Sequence, residues 1–293
     1  MRRRARRGTA LVAALFTIAL LATVTATVSV QARSSAGFAT NTRALTVARL
    51  MAESGILAGQ AQLTAELQQA LAQQPADSSG LDAVWDDVAR RETGQPTSPW
   101  VGDSLGDGAF EVAVVNVSAR LDANSADDAS LERLFRTAAP AAAAREAALR
   151  IAAHVRGDVP SAETPGDRWR VADSLAARDS LIGALLGRAV RPPVRRPLRS
   201  LDELQALVGS SGAPWLTTLA DQLTVDGDGR IDRRHATPAV LAAATGALVD
   251  RPTRILLVAR GWQRGQPLAR EIQAVYDVAG ATLTLVQWRE LDR

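Results

Sequence analysis

Five arginines within the first seven residues give way at Gly8 to an uncharged run from Thr9 to Ala32, and nothing constrains this chain more. At 1.5 Å per residue the run makes about 36 Å of helix, enough to cross a hydrocarbon core about 30 Å thick. A secretory signal usually has an apolar region of about 7–15 residues followed by a small-residue cleavage site. Thr17, Thr23, Thr25, Thr27 and Ser29 leave the second half of the run only moderately apolar. The run is longer than a signal's apolar region, so a retained anchor is the better reading on these residues alone, with a cleaved signal as the alternative. The arginine cluster predicts a cytoplasmic N-terminus, with the rest of the chain sent outward.

The helical pattern continues past the uncharged run. Leu45, Ala48, Ala52, Ile56, Leu63, Leu67 and Leu71 recur at spacings of three, four and seven and define one apolar face. Arg43, Arg49, Glu53, Gln60, Glu66 and Gln69 lie on the wetter side, and Pro75 is the first proline to interrupt the pattern. The reading is one long helix, half in the membrane and half outside, with Gly37 and Gly55 as weak points.

A shorter helix is predicted over 81–91, then a loop over 92–108 rich in turn residues. FEVAVVNVS (110–118) is β-branched and reads as a strand. From 130 to about 247 the pattern is mostly helical, over 130–137, 141–155, 172–187, 201–209 and 213–223. Loops at 157–167 and 191–197 punctuate it. Strands return at 254–261, 270–279 and 281–289, with Gly280 at the tight turn between the last two. A helical block inserted into a sheet explains this order more simply than two sequential domains. The fold class is thus α+β.

Composition removes several functional classes. There is no lysine, so all 34 positive side chains are arginine, a pattern that fits GC-rich coding better than a specific arginine function. Removing the five leader arginines takes the formal net charge from +3 to −2. The remainder has no surplus of basic charge for non-specific phosphate binding, and no nucleic-acid partner is expected. Zero cysteines exclude a disulfide framework, thiolate zinc sites and a cysteine nucleophile.

TVDGDGRIDRRH (224–235) resembles part of an EF-hand loop, with Asp226 and Asp228 on ligand positions. Thr224 and His235 then occupy positions one and twelve, where carboxylates belong, so a plain Asp-Gly turn is the better reading. His154 and His235 are the only histidines, and neither lies near a serine elbow or an HExxH pattern. Asp86–Asp87 and Asp127–Asp128 read as helix-end or solvated carboxylates. Arg191, Arg195, Arg196 and Arg199 read as a solvated, proline-rich linker. No catalytic or metal residues and no cofactor are predicted. A weak repeat relates RLDANSA (120–126), followed by Leu131, to RIDRRHA (230–236), followed by Leu241. In the second copy Thr237 and Pro238 form a helix start. Chance, helped by the abundance of Arg, Ala and Leu, is the alternative.

Taken together, these residues resemble the minor pseudopilin K (GspK) family of type II secretion. The likeness begins with the leader ending in Gly8 and continues through Ala52-Glu53-Ser54-Gly55 on the long helix. DANSA (122–126) and the degraded DRRHA (232–236) are similar to the family's asparagine-rich stretches, which explains the repeat better than chance. Ser200-Leu201-Asp202-Glu203-Leu204 resembles a family helix start. Leu223-Thr224-Val225 with Gly227, Gly229 and Arg230, and Val286-Gln287-Trp288-Arg289 near the end, complete the series. There are departures. Thr9 stands where an aromatic is usual, and 153–158 lacks the carboxylates of the family's calcium segment, so no metal site is carried over. Ala13 stands where major pseudopilins keep a glutamate, as is usual for the K subunit.

The resemblance implies a prepilin leader at 1–8, with prepilin peptidase cutting between Gly8 and Thr9 and methylating Thr9. It implies a transmembrane part at 9–32 and a periplasmic helix at 33–75. A pseudopilin α/β domain at 81–126 and 248–293 would carry a helical domain at 127–247. The protein would be a non-enzymatic subunit of the bacterial inner membrane, single-pass, with its C-terminal domain in the periplasm. It would cap a pseudopilus and assist export of folded proteins. Its partners would be minor pseudopilins I and J, met through the Leu45–Leu71 face. A minor pilin of a type IV pilus, or a monotopic periplasmic protein of another role, remains the alternative.

Overall fold

The computed structural model describes residues 2–73, 79–93, 101–157, 195–208 and 214–291, with side chains from residue 14 onward. The predicted helix over 172–187, most of the 157–167 loop and Arg191 lie outside the described residues.

Helix α1 (Arg2–Gln73) runs unbroken for 72 residues, about 108 Å. From Ala14 to Arg43 every described residue is exposed, including Leu15, Phe16, Ile18, Leu20, Leu21, Val24, Val28 and Val30. Hydroxyls of Thr23, Thr25 and Thr27 within this apolar stretch turn back onto the helix itself. Thr23 donates to the Leu20 carbonyl at 2.7 Å and Thr25 to that of Leu21 at 2.8 Å, so neither is a bare polar group. Among the described residues, α1 is the one helix long and apolar enough to cross a membrane.

Helix α2 (Ser79–Thr93) folds back against α1 through Leu81, Trp85 and Val88. Strands β1 (Val101–Leu105) and β2 (Gly108–Val115) form a hairpin across Gly106, whose φ is +57°. The turn-rich 92–108 segment thus contains a strand where the sequence predicts only loop. Gly102, Asp103 and Ser104 have little strand preference, and the backbone ladder to β2 supplies the pairing.

The chain then enters the inserted block: β3 (Leu121–Asp122), α3 (Asp128–Phe135), α4 (Ala141–Arg156), α5 (Leu201–Val208) and α6 (Pro214–Thr218). It continues through β4 (Leu223–Thr224), β5 (Ile231–Asp232), α7 (Pro238–Ala243) and β6 (Leu248–Val249). The predicted helix over 213–223 is instead the short α6, a 3₁₀ turn and β4. The chain returns to the sheet as β7 (Arg254–Gln263), β8 (Ala269–Ala279) and β9 (Thr282–Leu291). The main sheet is antiparallel throughout in the order β1-β2-β7-β8-β9, with Gly280 at φ +63° in the β8–β9 turn.

Two hydrophobic cores result. In the first, Ile56, Leu63 and Leu67 pack on Val112, Val114, Ile255, Leu257, Ile272 and Tyr276. In the second, Leu131, Leu134 and Phe135 meet Ala147, Ile151, Leu204, Leu219 and Val240. Leu121 and Ala123 belong to the second core, and β6 pairs with β5, so this block begins before residue 127 and runs past 247. It leaves and rejoins the sheet at one place. The Ser118 hydroxyl accepts from the backbone N–H groups of Thr253 at 3.2 Å and Arg254 at 3.0 Å, clasping the two connections together.

The closeness of α1 to the sheet is set by small residues. Ala48 and Ala52 are fully buried, and a Cβ on Gly261 of β7 would run into the Ala48 carbonyl and the Ala52 N–H. Gly55 and Gly59 likewise face Val112. Because α1 backbone cannot yield as a side chain can, Gly261→Ala is expected to cost about 3 kcal/mol, the upper end of overpacking penalties. A lower urea midpoint with an unchanged slope checks this; a midpoint equal to wild type contradicts the close approach.

Candidate functional site

The predicted partner face of α1 is occupied from within. Ala48, Ala52, Ile56, Leu63 and Leu67 are fully buried against the chain's own sheet, Leu45 is half-buried, and Leu71 alone of the set is exposed. This corrects the reading of that face as the one offered to partner helices. An i, i+3, i+4, i+7 pattern marks an apolar face without saying what covers it, and the intramolecular sheet has covered this one. The opposite side carries Leu50 and Leu57, 51% and 64% exposed and two turns apart, with the small residues Ser54 and Ala61 beside them. Beyond α1, the outer strand β9 exposes Leu285, Val286 and Trp288. In the globular head, formed by the distal half of α1 and everything after it, these stand among the exposed large apolar side chains of the described residues. Gly8 and Thr9 lie in the first turns of α1, with side chains outside the described residues.

Beyond the Ser118 clasp, two polar joints among the described residues tie the inserted block to the rest. At the first, Arg254 of β7 donates to the carbonyls of Asp226 at 3.3 Å and Gly227 at 2.7 Å, while its Nε holds Asp277 at 2.7 Å. Arg289 of β9 donates to the Asp226 carboxylate at 2.6 Å, to Gln273 Oε1 at 2.9 Å and to the Arg199 carbonyl. The Asp-Gly turn is therefore a docking element for guanidinium groups. Its Asp226 carboxylate is spent on Arg289, and Asp228 caps its own turn through the Arg230 N–H at 3.1 Å. The calcium-like spacing therefore belongs to an Asp-Gly turn whose carboxylates are engaged within the chain. Among the described residues no three His, Cys, Asp or Glu side chains gather as a metal site.

At the second joint His235 stands between two carboxylates, with Nδ1 2.7 Å from Asp232 Oδ2 and Nε2 2.9 Å from Asp86 Oδ1. Asp232 is fully buried and also accepts from the Asn116 amide at 2.9 Å and the Arg234 N–H at 3.0 Å. Arg234 reaches both Asp82 and Asp86 on α2, and Arg251 holds Asp82 at 2.6 Å. Burial opposes a charge on His235, but hydrogen bonds and charges from Asp232 and Asp86 outweigh it and hold the imidazole above its ordinary 6.5. Burial likewise raises Asp82, yet Arg251 and Arg234 bring it below the usual carboxylate value. Asp86–Asp87 thus sit in the middle of α2 rather than at a helix end, with Asp87 paired to Arg90 and Arg91. His154 takes no part; its ring faces Glu203 at 3.9 Å.

The repeat seen in the sequence is a repeat of structure. Asp122 and Asp232 each end a two-residue parallel strand pair. Each accepts on Oδ1 from the N–H two residues on, and on its carbonyl from the N–H four residues on. Five residues after each aspartate comes a helix cap: Asp127 accepts from Ser130 N at 2.6 Å, and Thr237 from Val240 N at 3.3 Å. The copies differ where they are used. Asn124 stitches Leu198 and Val225 within the inserted block, whereas its counterpart Arg234 and the adjacent His235 reach out to α2. The pairing of His235 with Asp86, 149 residues away, has no signal in either local sequence.

Arg289→Met leaves Asp226, with its side chain only 6% exposed, as an uncompensated charge. It should destabilise the head by about 3–5 kcal/mol in urea unfolding, and Asp226→Asn added to it should recover part of that loss. Equal losses in the single and double variants contradict the pairing.

Comparison with known proteins finds a likeness among solved structures. No family model and no curated protein matches the chain. Among solved structures it is similar to the crystal structure of the GspK–GspI–GspJ complex from the type 2 secretion system of enterotoxigenic Escherichia coli. The match has a TM-score of 0.45 at 13% identity and covers 77% of this chain and 97% of that one.

Proposed function

We propose that this chain is a minor pseudopilin of the K type, a non-enzymatic subunit that caps a type II secretion pseudopilus and serves export of folded proteins. The observation that carries the reading is the block inserted between β2 and β7, adjacent strands of one sheet that α1 covers. In a filament whose subunits pack by their long N-terminal helices, a head enlarged in this way obstructs a subunit stacked above it. It suits the end of the fibre. The ordered series of sequence likenesses from Gly8 to Arg289 supports the same reading.

Under this proposal the leader arginines remain cytoplasmic, residues 9–32 lie in the inner membrane, and the head occupies the periplasm. Prepilin peptidase cuts between Gly8 and Thr9 and methylates Thr9. Mass spectrometry of the mature protein is expected to find methylated Thr9 as the first residue. A chain beginning near Ser34 indicates an ordinary secretory signal and overturns the assignment.

Partner helices of pseudopilins I and J use the side of α1 that carries Leu50 and Leu57. Leu50→Asp with Leu57→Asp is expected to abolish co-purification with these partners while leaving the circular dichroism and melting of the head unchanged. Ile56→Asp with Leu63→Asp would instead unfold the head, because both side chains are fully buried. Full retention of partners by the Leu50, Leu57 variant contradicts the helix-to-helix assembly.

A further inference from the structure

The two joints of the inserted block answer differently to pH. Guanidinium groups stay charged at any pH a folded protein meets, so the Arg254–Arg289 joint holds throughout. At the His235 joint the Arg234 and Arg251 contacts to α2 persist likewise, and the two imidazole contacts alone depend on one proton. Ionised Asp86 and Asp232 are acceptors only, and a neutral imidazole has one donor nitrogen. With both ring nitrogens within 2.9 Å of carboxylate oxygens, only the imidazolium satisfies both contacts. A neutral ring would set a nitrogen lone pair against an oxygen anion.

Charge in the neighbourhood balances the same way. From α2 come Asp82 and Asp86; from the end of β5 and the turn after it come Asp232 and Arg234; from the connection after β6 comes Arg251. Arg233 and Asp250 pair with each other, Arg120 pairs with Glu92, and Asn116 contributes only its amide. Three carboxylates thus face two guanidiniums, and a charged His235 brings the set to neutrality. His235 is only 10% exposed, so water cannot readily replace the missing contact.

We propose that His235 is a proton-operated latch: charged, it clamps the inserted block to α2, and neutral, it leaves that side to Arg234 and Arg251 alone, so that the block loosens there and pivots about the Arg254–Arg289 joint. The direction follows from the raised imidazole. The contribution of the clamp is complete below the unfolded value of about 6.5 and is lost as pH rises through the higher folded value. Conditions below about pH 6.5 hold the latch shut, and raising the pH through the higher folded value opens it.

The chain has no cysteine, so Ala83→Cys on exposed α2 and Ala242→Cys on exposed α7 accept two spin labels in the full-length protein in detergent micelles. The distance distribution between the labels is expected to be narrow near pH 6 and at least twice as broad near pH 9. With His235→Gln it should be broad at both. An identical distribution at the two pH values overturns the proposal, as does a pH response that persists in His235→Gln. Should that variant fail to fold, imidazole ¹⁵N resonances of the His154→Gln protein, which keeps a single histidine, decide the matter. A titration midpoint above the ordinary value supports the latch, and one at or below it overturns the latch.

Discussion

The contact of α1 with β7 across Gly261 organises everything else in the head. Helix backbone and strand backbone meet there with no side chain between them, and Ala48 and Ala52 above, with Gly55 and Gly59 against Val112, keep the approach close along two further turns. A helix seated so near the sheet can bury Ile56, Leu63 and Leu67 completely between strands and α2, each worth about 1.5–3 kcal/mol of apolar transfer. Without that seat the five strands would have one unprotected apolar face, and α2 would have nothing to fold against. The described side chains in the first half of α1, from Ala14 onward, are exposed and add no packing to the head.

The inserted block depends on this platform without sharing its core. Its own aliphatic cluster closes around α3, α4 and α7, and its attachment is polar: the Ser118 clasp where the connections run side by side, the guanidiniums of Arg254 and Arg289, and the cluster around His235. Polar attachment suits an element added between two strands of an existing sheet. It lets the two cores remain separately packed, and it fixes orientation through direction-dependent hydrogen bonds rather than through non-directional burial. The acidic-glycine turn at 226–229 and the second repeat copy have both been turned to this task. In each, residues that resemble a ligand loop or a degenerate motif are the ones that reach across to the sheet domain.

Local sequence was enough for what depends on near neighbours. Periodicity and the absence of proline announced α1; β-branched runs announced β2 and β7 to β9; Thr237-Pro238 marked the start of α7; and the spacing of RLDANSA and RIDRRHA anticipated two equivalent turns. Each rests on hydrogen bonds or steric preferences spanning a few residues, so the information lies in adjacent letters. The α+β class and an insertion within a sheet followed from the order of those elements. Strand β1 escaped because its residues have no strand preference of their own and are held by the β2 ladder alone.

Tertiary structure decided which surfaces are inside. Ile56 and Leu57 are neighbours in sequence with equal apolar character, yet one is fully buried and the other 64% exposed, because only the sheet's position says which side of α1 is covered. The same holds for the charged residues. Asp86 reads as a helix-end or solvated carboxylate until His235 is brought to it, and Asp226 reads as part of a plain Asp-Gly turn until Arg289 arrives from the last strand. Sequence determined the elements and their order, since these follow from short-range backbone preference. The choice of faces and ionic partners came only with packing, since it depends on long-range contacts that no local pattern encodes.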